Sequence, residues 1–314
     1  MQRAFLTLFM FVLGLASCGG DGGGGGGGGE PVIELVKWTP SGDNQTDTVG
    51  QTLPNVIRVK VTADGDVVAG ITVNFAGGSL GSPSVVTGAN GIATTTWTLG
   101  AVAGQQSVTA SVPGAVGSPV TFHATAVPAA PAALLYGGPS SGFIADTGAI
   151  FPGFAVMVTD SFGNGISGRW VKWGSTGPIS LPTDSIITGD AGDATMFGKA
   201  KTTAGDISVT ATVTGLTGSP RVFTGTVVSN SIQVTVSSNQ FSPDSINIPA
   251  GSAVKWNFTS GSHSVSSINS PSFNGSDIQS SPSTWGPILF NTPGVYQYEC
   301  SVHPSQMKGK VVVQ

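Results

Sequence analysis

The stretch CSVHPSQM, Cys300 to Met307, puts a thiol, an imidazole and a thioether close together near the C-terminus. Elsewhere such side chains are scarce: the chain has 2 cysteines, 3 histidines and 5 methionines in 314 residues. Cys18, Met1 and Met10 belong to the extreme N-terminus, so past that segment Cys300 is the only cysteine, and two of the histidines, His263 and His303, lie in the C-terminal region with it. The N-terminus reads as an export signal, and exported thiols face oxidation unless they pair or are protected. Cys300 has no obvious pairing partner. Metal ligation would protect it, because a coordinated thiolate is held by the ion and shielded by the fold.

The elements that must position these residues are strands. In the last domain, residues 231–314, alternation points Ile246 and Ile248 one way in SINIPAG, and Val254, Trp256 and Phe258 one way in AVKWNF. It does the same for Tyr296, Tyr298 and Cys300 in GVYQYEC, and for Met307, Gly309, Val311 and Val313 in MKGKVVV. The expected architecture is an antiparallel sandwich with Cys300 facing inward at a strand end and Glu299 facing outward. His263 follows a separate strand through the turn SGS. Two imidazoles, one thiolate and a weak thioether form the ligand set of a mononuclear blue-copper site. Zinc is the rival ion, but a catalytic zinc would want an open position and a general base, which this loop does not supply. Three histidines are too few for a multicopper oxidase or a copper nitrite reductase. A binuclear copper site would need a second loop cysteine.

FSPDSINIPAGSAVKW, GSHSV, FNGSDI and NTPGVYQYECSVHPSQMKGKVVV run in the order and spacing of the plastocyanin and amicyanin branch of the cupredoxins. This resemblance covers the whole last domain. It implies one type 1 copper held by His263, Cys300 and His303 with Met307 axial, single-electron transfer with redox protein partners such as a cytochrome, oxidase or reductase, and no enzymatic reaction. It also implies that His303, beside Val302 and Pro304, is the electron port. Three residues separate His303 from Met307, between the two of amicyanin-like loops and the four of plastocyanin-like loops. Gln306 therefore stands where a shorter loop would put its axial ligand. Met307 is preferred because M-x-G-x-V, Met307 to Val311, continues the family pattern.

Upstream, an internal repeat occupies residues 31–229. VTG at Val86 returns as ITG at Ile187, and AG at Ala103, VTA at Val108 and GSP at Gly117 return at Ala204, Val209 and Gly218, all at one offset. Short strands with frequent turn signals and a unit of about a hundred residues suggest immunoglobulin-like sandwiches, at 31–127 and 128–229. GDNQTDTVGQTLPNVIRVKVTADGDVVAGITVNF, Gly42 to Phe75, resembles bacterial Ig-like domains of the invasin and intimin type, and VMVTDSFGNGISGRWVKW, Val156 to Trp173, resembles a diverged copy. Such domains serve as spacers or adhesive modules. Val59, Val61, Ile71, Val73 and Phe75 should form a buried face; Trp170 and Trp173 should pack in a core or at an edge; His123 should face solvent. GGSLG, Gly77 to Gly81, matches a hydrolase nucleophile pattern but lacks the strand-to-helix elbow and an activating histidine.

MQRAFLTLFMFVLGLASC has a charged start, an apolar run and small residues before Cys18, the layout of an export signal too short for a comfortable span. Its LASC ending resembles the lipobox, which makes 1–17 the signal and Cys18 the lipidated residue. The glycine-rich segment that follows, within 18–30, is a flexible tether reaching roughly 20 Å. Gly19 lacks the aspartate associated with inner-membrane retention, so anchoring to the outer membrane of an exported protein is expected. Only 9% of residues are charged, with net charge -4, which excludes a nucleic-acid footprint. The whole chain is expected to be all-β: two Ig-like sandwiches, then a Greek-key cupredoxin sandwich. Copper storage or delivery without a redox partner, and adhesion by the Ig-like units, are the alternative functions.

Overall fold

The computed structural model describes residues 30–314; Cys18, the export segment and most of the glycine tether lie outside them. Every regular element among the described residues is a strand, as threonine, valine and isoleucine alternation bounded by glycine and proline dictates. None of these residues forms a helix long and apolar enough to cross a membrane.

Three sandwiches follow one another. In the first, a sheet built on Ile33–Lys37, Ile57–Ala63 and Ile92–Thr95 faces one in the order Gln45–Thr48, Val120–Val127, Gly104–Ser111, Thr72–Ala76 and Ser84–Val86. Leu35, Val59, Val61, Val73, Phe75, Val108 and Phe122 fill the space between them. The second repeats the plan: Gly104 pairs with Ala126 in the first and Gly205 with Val227 in the second, the same hairpin register one repeat later.

The last domain is not the antiparallel sandwich expected: Ile232–Ser237 runs parallel to Ser252–Phe258, and Lys308–Val313 to Ser245–Ile248. The upstream sandwiches hold parallel pairs too, Val120–Val127 with Gln45–Thr48 and Arg221–Val228 with Phe143–Asp146. Alternation reports which face a residue occupies, whereas these partners are distant in sequence and no turn signal joins them. His123 also departs from expectation. It is half-buried with its Nδ1 enclosed, because its strand is interior to the sheet and the Asp43–Asn44 turn covers it: the His123 amide donates to Asp43 Oδ1 at 2.7 Å, and its carbonyl accepts from Asn44 N at 2.8 Å. Trp173 lies in the core, while Trp170 is 64% exposed opposite Ile187 at a sheet edge.

Both junctions use a carboxylate. At the first, Asp160 accepts from the Ala129 amide of the connector at 2.9 Å and from Asn164 Nδ2 at 2.9 Å. Asn164 in turn donates to Ala101 O and accepts from Ala103 N across the junction. At the second, Asp146 accepts from Ser231 N at 2.8 Å and Lys255 Nζ at 2.7 Å. Burial acts to raise the Asp146 pKa, but Lys255 and the Ser231 hydrogen bonds outweigh it and hold the carboxyl below its ordinary value. The contacts favour the carboxylate, so they hold at neutral pH and loosen only as acid protonates Asp146 below that ordinary range. The clefts at the two junctions correspond as well: Ala103, Gly104 and Val127–Ala129 line one, and Ala204, Gly205 and Val228–Asn230 the other.

In the third sandwich, Gln240–Ser242, Ile232–Ser237, Ser252–Phe258 and Ser283–Phe290 form one sheet, and Ser245–Ile248, Lys308–Val313, Gly294–Glu299 and Ser266–Ser267 the other. Gly251–Ala253 and Ile232 border the junction cleft, so Ser252–Phe258 climbs away from the second sandwich. The chain then delivers His263 at the far end, about 20 Å along the sheet at the usual strand rise.

Candidate metal centre

Cys300 follows directly on the strand Gly294–Glu299, where the inward phase begun by Tyr296 and Tyr298 continues. Its side chain is fully buried, as is that of Met307, and His263 is 2% exposed. His303 is half-buried with Val302 exposed beside it. The loop between Cys300 and Met307 is closed by its own backbone: the His303 amide donates to Cys300 O, the Met307 amide to His303 O at 2.9 Å, and the Cys300 amide to Met307 O at 3.1 Å. The bond from Met307 back to His303 forms a single α-turn, which absorbs the three-residue spacing. Gln306 is exposed, while Met307 joins Cys300 in the buried cluster.

His263, Cys300 and His303 bring one donor atom each within 4.8 Å of one another. Cys300 Sγ stands 3.8 Å from His263 Nδ1 and 3.7 Å from His303 Nδ1. Sulfur and nitrogen held about 2.3 and 2.0 Å from a common ion, at an angle near 120°, would stand about 3.8 Å apart. The residues therefore fit a single metal ion, with both Nδ1 atoms facing the sulfur. Burial first, and then the His303 ring beside it, lower the His263 pKa against a hydrogen bond to Ser260 O, so the imidazole is held in the neutral form that can donate a lone pair.

Two hydroxyl residues complete the arrangement, and the sequence reading missed both. The Ser264 amide points at Cys300 Sγ from 3.4 Å, a donor suited to a thiolate. Ser264 Oγ accepts from Ser301 N at 2.8 Å and lies 2.7 Å from Ser301 Oγ, tying the His263 segment to the Cys300 loop. Each serine follows a donor residue directly, the one signal that could have marked them, but serines crowd this region of the sequence.

Below the site lies an aromatic floor. Tyr298 meets Trp256 edge-on at 5.5 Å and Phe241 at 4.8 Å. Burial pushes the Tyr298 phenol up to about 12, so it stays neutral. Gly309 is its cross-strand partner, and a Cβ there would run into the Tyr298 ring and hydroxyl. Gly309→Ala should therefore cost about 1–3 kcal/mol in chemical denaturation, as overpacked cores do; unchanged stability would show that the ring can move aside.

A family model for the cupredoxin-like domain matches residues 211–313, reaching back into the strands Gly205–Thr212 and Arg221–Val228, which pair within the second sandwich. Amicyanin-alpha of Methylorubrum extorquens is 36% identical over 94 residues, covering 27% of this chain and 72% of that protein. Among solved structures, a purple cupredoxin from Nitrosopumilus maritimus shares 26% identity over 26% of this chain and 99% of its own, with a TM-score of 0.24. Amicyanin from Paracoccus versutus shares 24% identity over 28% of this chain and 85% of its own, with a TM-score of 0.25.

Proposed function

This chain belongs, through its C-terminal region, to the cupredoxin family, and on that premise we propose that it is a membrane-anchored carrier of single electrons whose cofactor is one type 1 copper. The observation that carries the reading is the buried Cys300 sulfur facing two imidazole nitrogens at nearly equal distances of 3.7 and 3.8 Å. His263, Cys300 and His303 would hold the ion, with the buried Met307 thioether as a further, weak donor. Bound copper supplies a couple that gains or loses one electron, Cu(II) to Cu(I).

The chain's own residues do the rest. The Ser264 amide donates to the Cys300 sulfur, and the Ser264–Ser301 hydrogen bonds fix the separation of the two donor segments. The aromatic floor and the loop's backbone bonds resist rearrangement, so the donors stay in place in both oxidation states. Half-buried His303 is the route by which an electron reaches the surface.

The two upstream sandwiches, read as Ig-like domains, act as spacers joined by the Asp160 and Asp146 contacts, and Cys18 carries the lipid that fixes the exported chain to the outer membrane. Loss of the anchor is the simple test: Cys18→Ser should release the protein from the detergent phase or leave it uncleaved, and a freely soluble unmodified protein would refute anchoring. The carrier function is tested by voltammetry of the protein loaded with one copper. A reversible one-electron wave is expected; rapid loss of the copper to a chelator with no reversible wave would favour metal delivery instead.

A further inference from the structure

The two upstream sandwiches share one plan, yet one outward face of the second departs from its counterpart in the first. In the first sandwich the outward residues pair as Glu34 with Thr62, Val36 with Lys60 and Arg58 with Thr94. The corresponding strands of the second, Pro131–Tyr136, Phe154–Asp160 and Asp193–Met196, set Ala133 against Thr159, Leu135 against Met157 and Ala155 against Thr195. Where the first copy has Glu34, Lys60 and Arg58, the second has Ala133, Met157 and Ala155, so those charges are gone. The face has a relief as well. The Gly137 amide donates to Ala155 O, and a Cβ on Gly137 would stand 3.0 Å from the Ala155 Cβ, which makes a low floor of small residues. Phe197 rises at one border, 56% exposed, where a Cβ on Gly153 would stand 3.1 Å from its ring. Leu135, 39% exposed, borders the other side.

Charges stand at the two edges of this sheet and are of opposite sign. Asp193, opposite Met157 on the outer strand, is exposed and has no ion-pair partner among the described residues. At the far edge, beside Pro131–Tyr136, the Arg221 Nε donates to Leu134 O at 2.8 Å and its guanidinium lies 4.7 Å from the Tyr136 ring centroid, again with no carboxylate partner among the described residues. Lys199, bridged to exposed Ile150, lies beyond Phe197.

We infer that two copies of the chain pair through this face, about a two-fold axis that runs along the central strand Phe154–Asp160. Such an axis exchanges the two edges of the sheet. It lays the Phe197 ring of each copy over the Gly137–Gly138 floor of the other and carries each Asp193 to the edge where the other copy holds Arg221. A second copy is the occupant because knob, floor and both charges lie on one face, which is what a two-fold contact requires. Area sets the strength. Three strands about 4.8 Å apart and roughly 17 Å long, with the side chains at their borders, let a pair bury on the order of 800 Å² in total, about half of a standard interface. The pairing is therefore weak and reversible. Confining copies to a membrane, as the proposed anchor does, raises their effective concentration, but the contact itself does not depend on the anchor.

The chain from residue 19 onward lacks only the signal and Cys18, keeps Cys300 as its one cysteine, and reads the pairing without the anchor. In sedimentation equilibrium its weight-average mass should rise about 1.5-fold between roughly 10 µM and 1 mM, as a dissociation constant near 0.5 mM requires. Phe197→Asp should hold the mass at the monomer value, with an unchanged circular dichroism spectrum showing that the sandwiches remain folded. Ala155→Cys, on the axis, should form a disulfide between copies at least about fivefold more than Arg58→Cys, its counterpart on the charged face, because only Cβ atoms brought within about 4.5 Å can be bridged. A chain that stays monomeric at 1 mM, association that survives Phe197→Asp, or equal cross-linking from the two cysteine positions would overturn the proposal.

Discussion

Cys300→Ser yields a protein that folds and is colourless with Cu(II) bound. Intense visible absorption in such a site comes from charge transfer out of a thiolate, and Cys300 is the only sulfur of that kind among the described residues. A serine hydroxyl occupies similar space, so the buried cluster of Tyr298, Met307 and Val311 around it has little reason to collapse. The expected result is loss of essentially all the visible band, with copper affinity weakened by at least about tenfold as a strong soft donor is replaced by a weak one. The measurement is an equilibrium copper titration followed by absorbance. Retention of the band in the variant would mean that Cys300 is not the source of the colour.

The second large effect concerns the axial position. A thioether donates weakly and leaves Cu(I) favoured, whereas an amide oxygen is harder and favours Cu(II), so Met307→Gln should lower the reduction potential. A change of tenfold to a hundredfold in relative affinity for the two states corresponds to about 60–120 mV for a one-electron couple. Gln306→Ala should leave the potential nearly unchanged, because Gln306 is exposed whereas Met307 is buried in line with Val311 and Val313. If voltammetry instead shows a large shift for Gln306→Ala and none for Met307→Ala, the axial donor is one residue earlier than the fold suggests.

The inward phase of Tyr296, Tyr298 and Cys300 was legible from alternation alone, because a strand has a period of two and its buried face needs large apolar groups. The repeat was legible too, since Val108 and Val209 recur in equivalent hairpin positions, opposite Phe122 and Phe223. Less accessible was whatever depends on which distant segments meet. Nothing near Ser245–Ile248 announces that it runs parallel to Lys308–Val313. Ser264 and Ser301 each look like ordinary loop serines until the fold sets one against the other. Gly309 shows its reason only once the Tyr298 ring is seen lying where its side chain would be. Asp146 and Lys255 are 109 residues apart, and their pairing exists only because two sandwiches abut.

The visible and electron paramagnetic resonance spectra of the unmodified chain carrying one Cu(II) test the central claim most directly. A buried thiolate facing two imidazoles predicts an intense visible charge-transfer band, together with the reduced copper hyperfine splitting that follows when the unpaired electron is shared with sulfur. A pale complex with the large splitting of tetragonal nitrogen and oxygen ligation would contradict it.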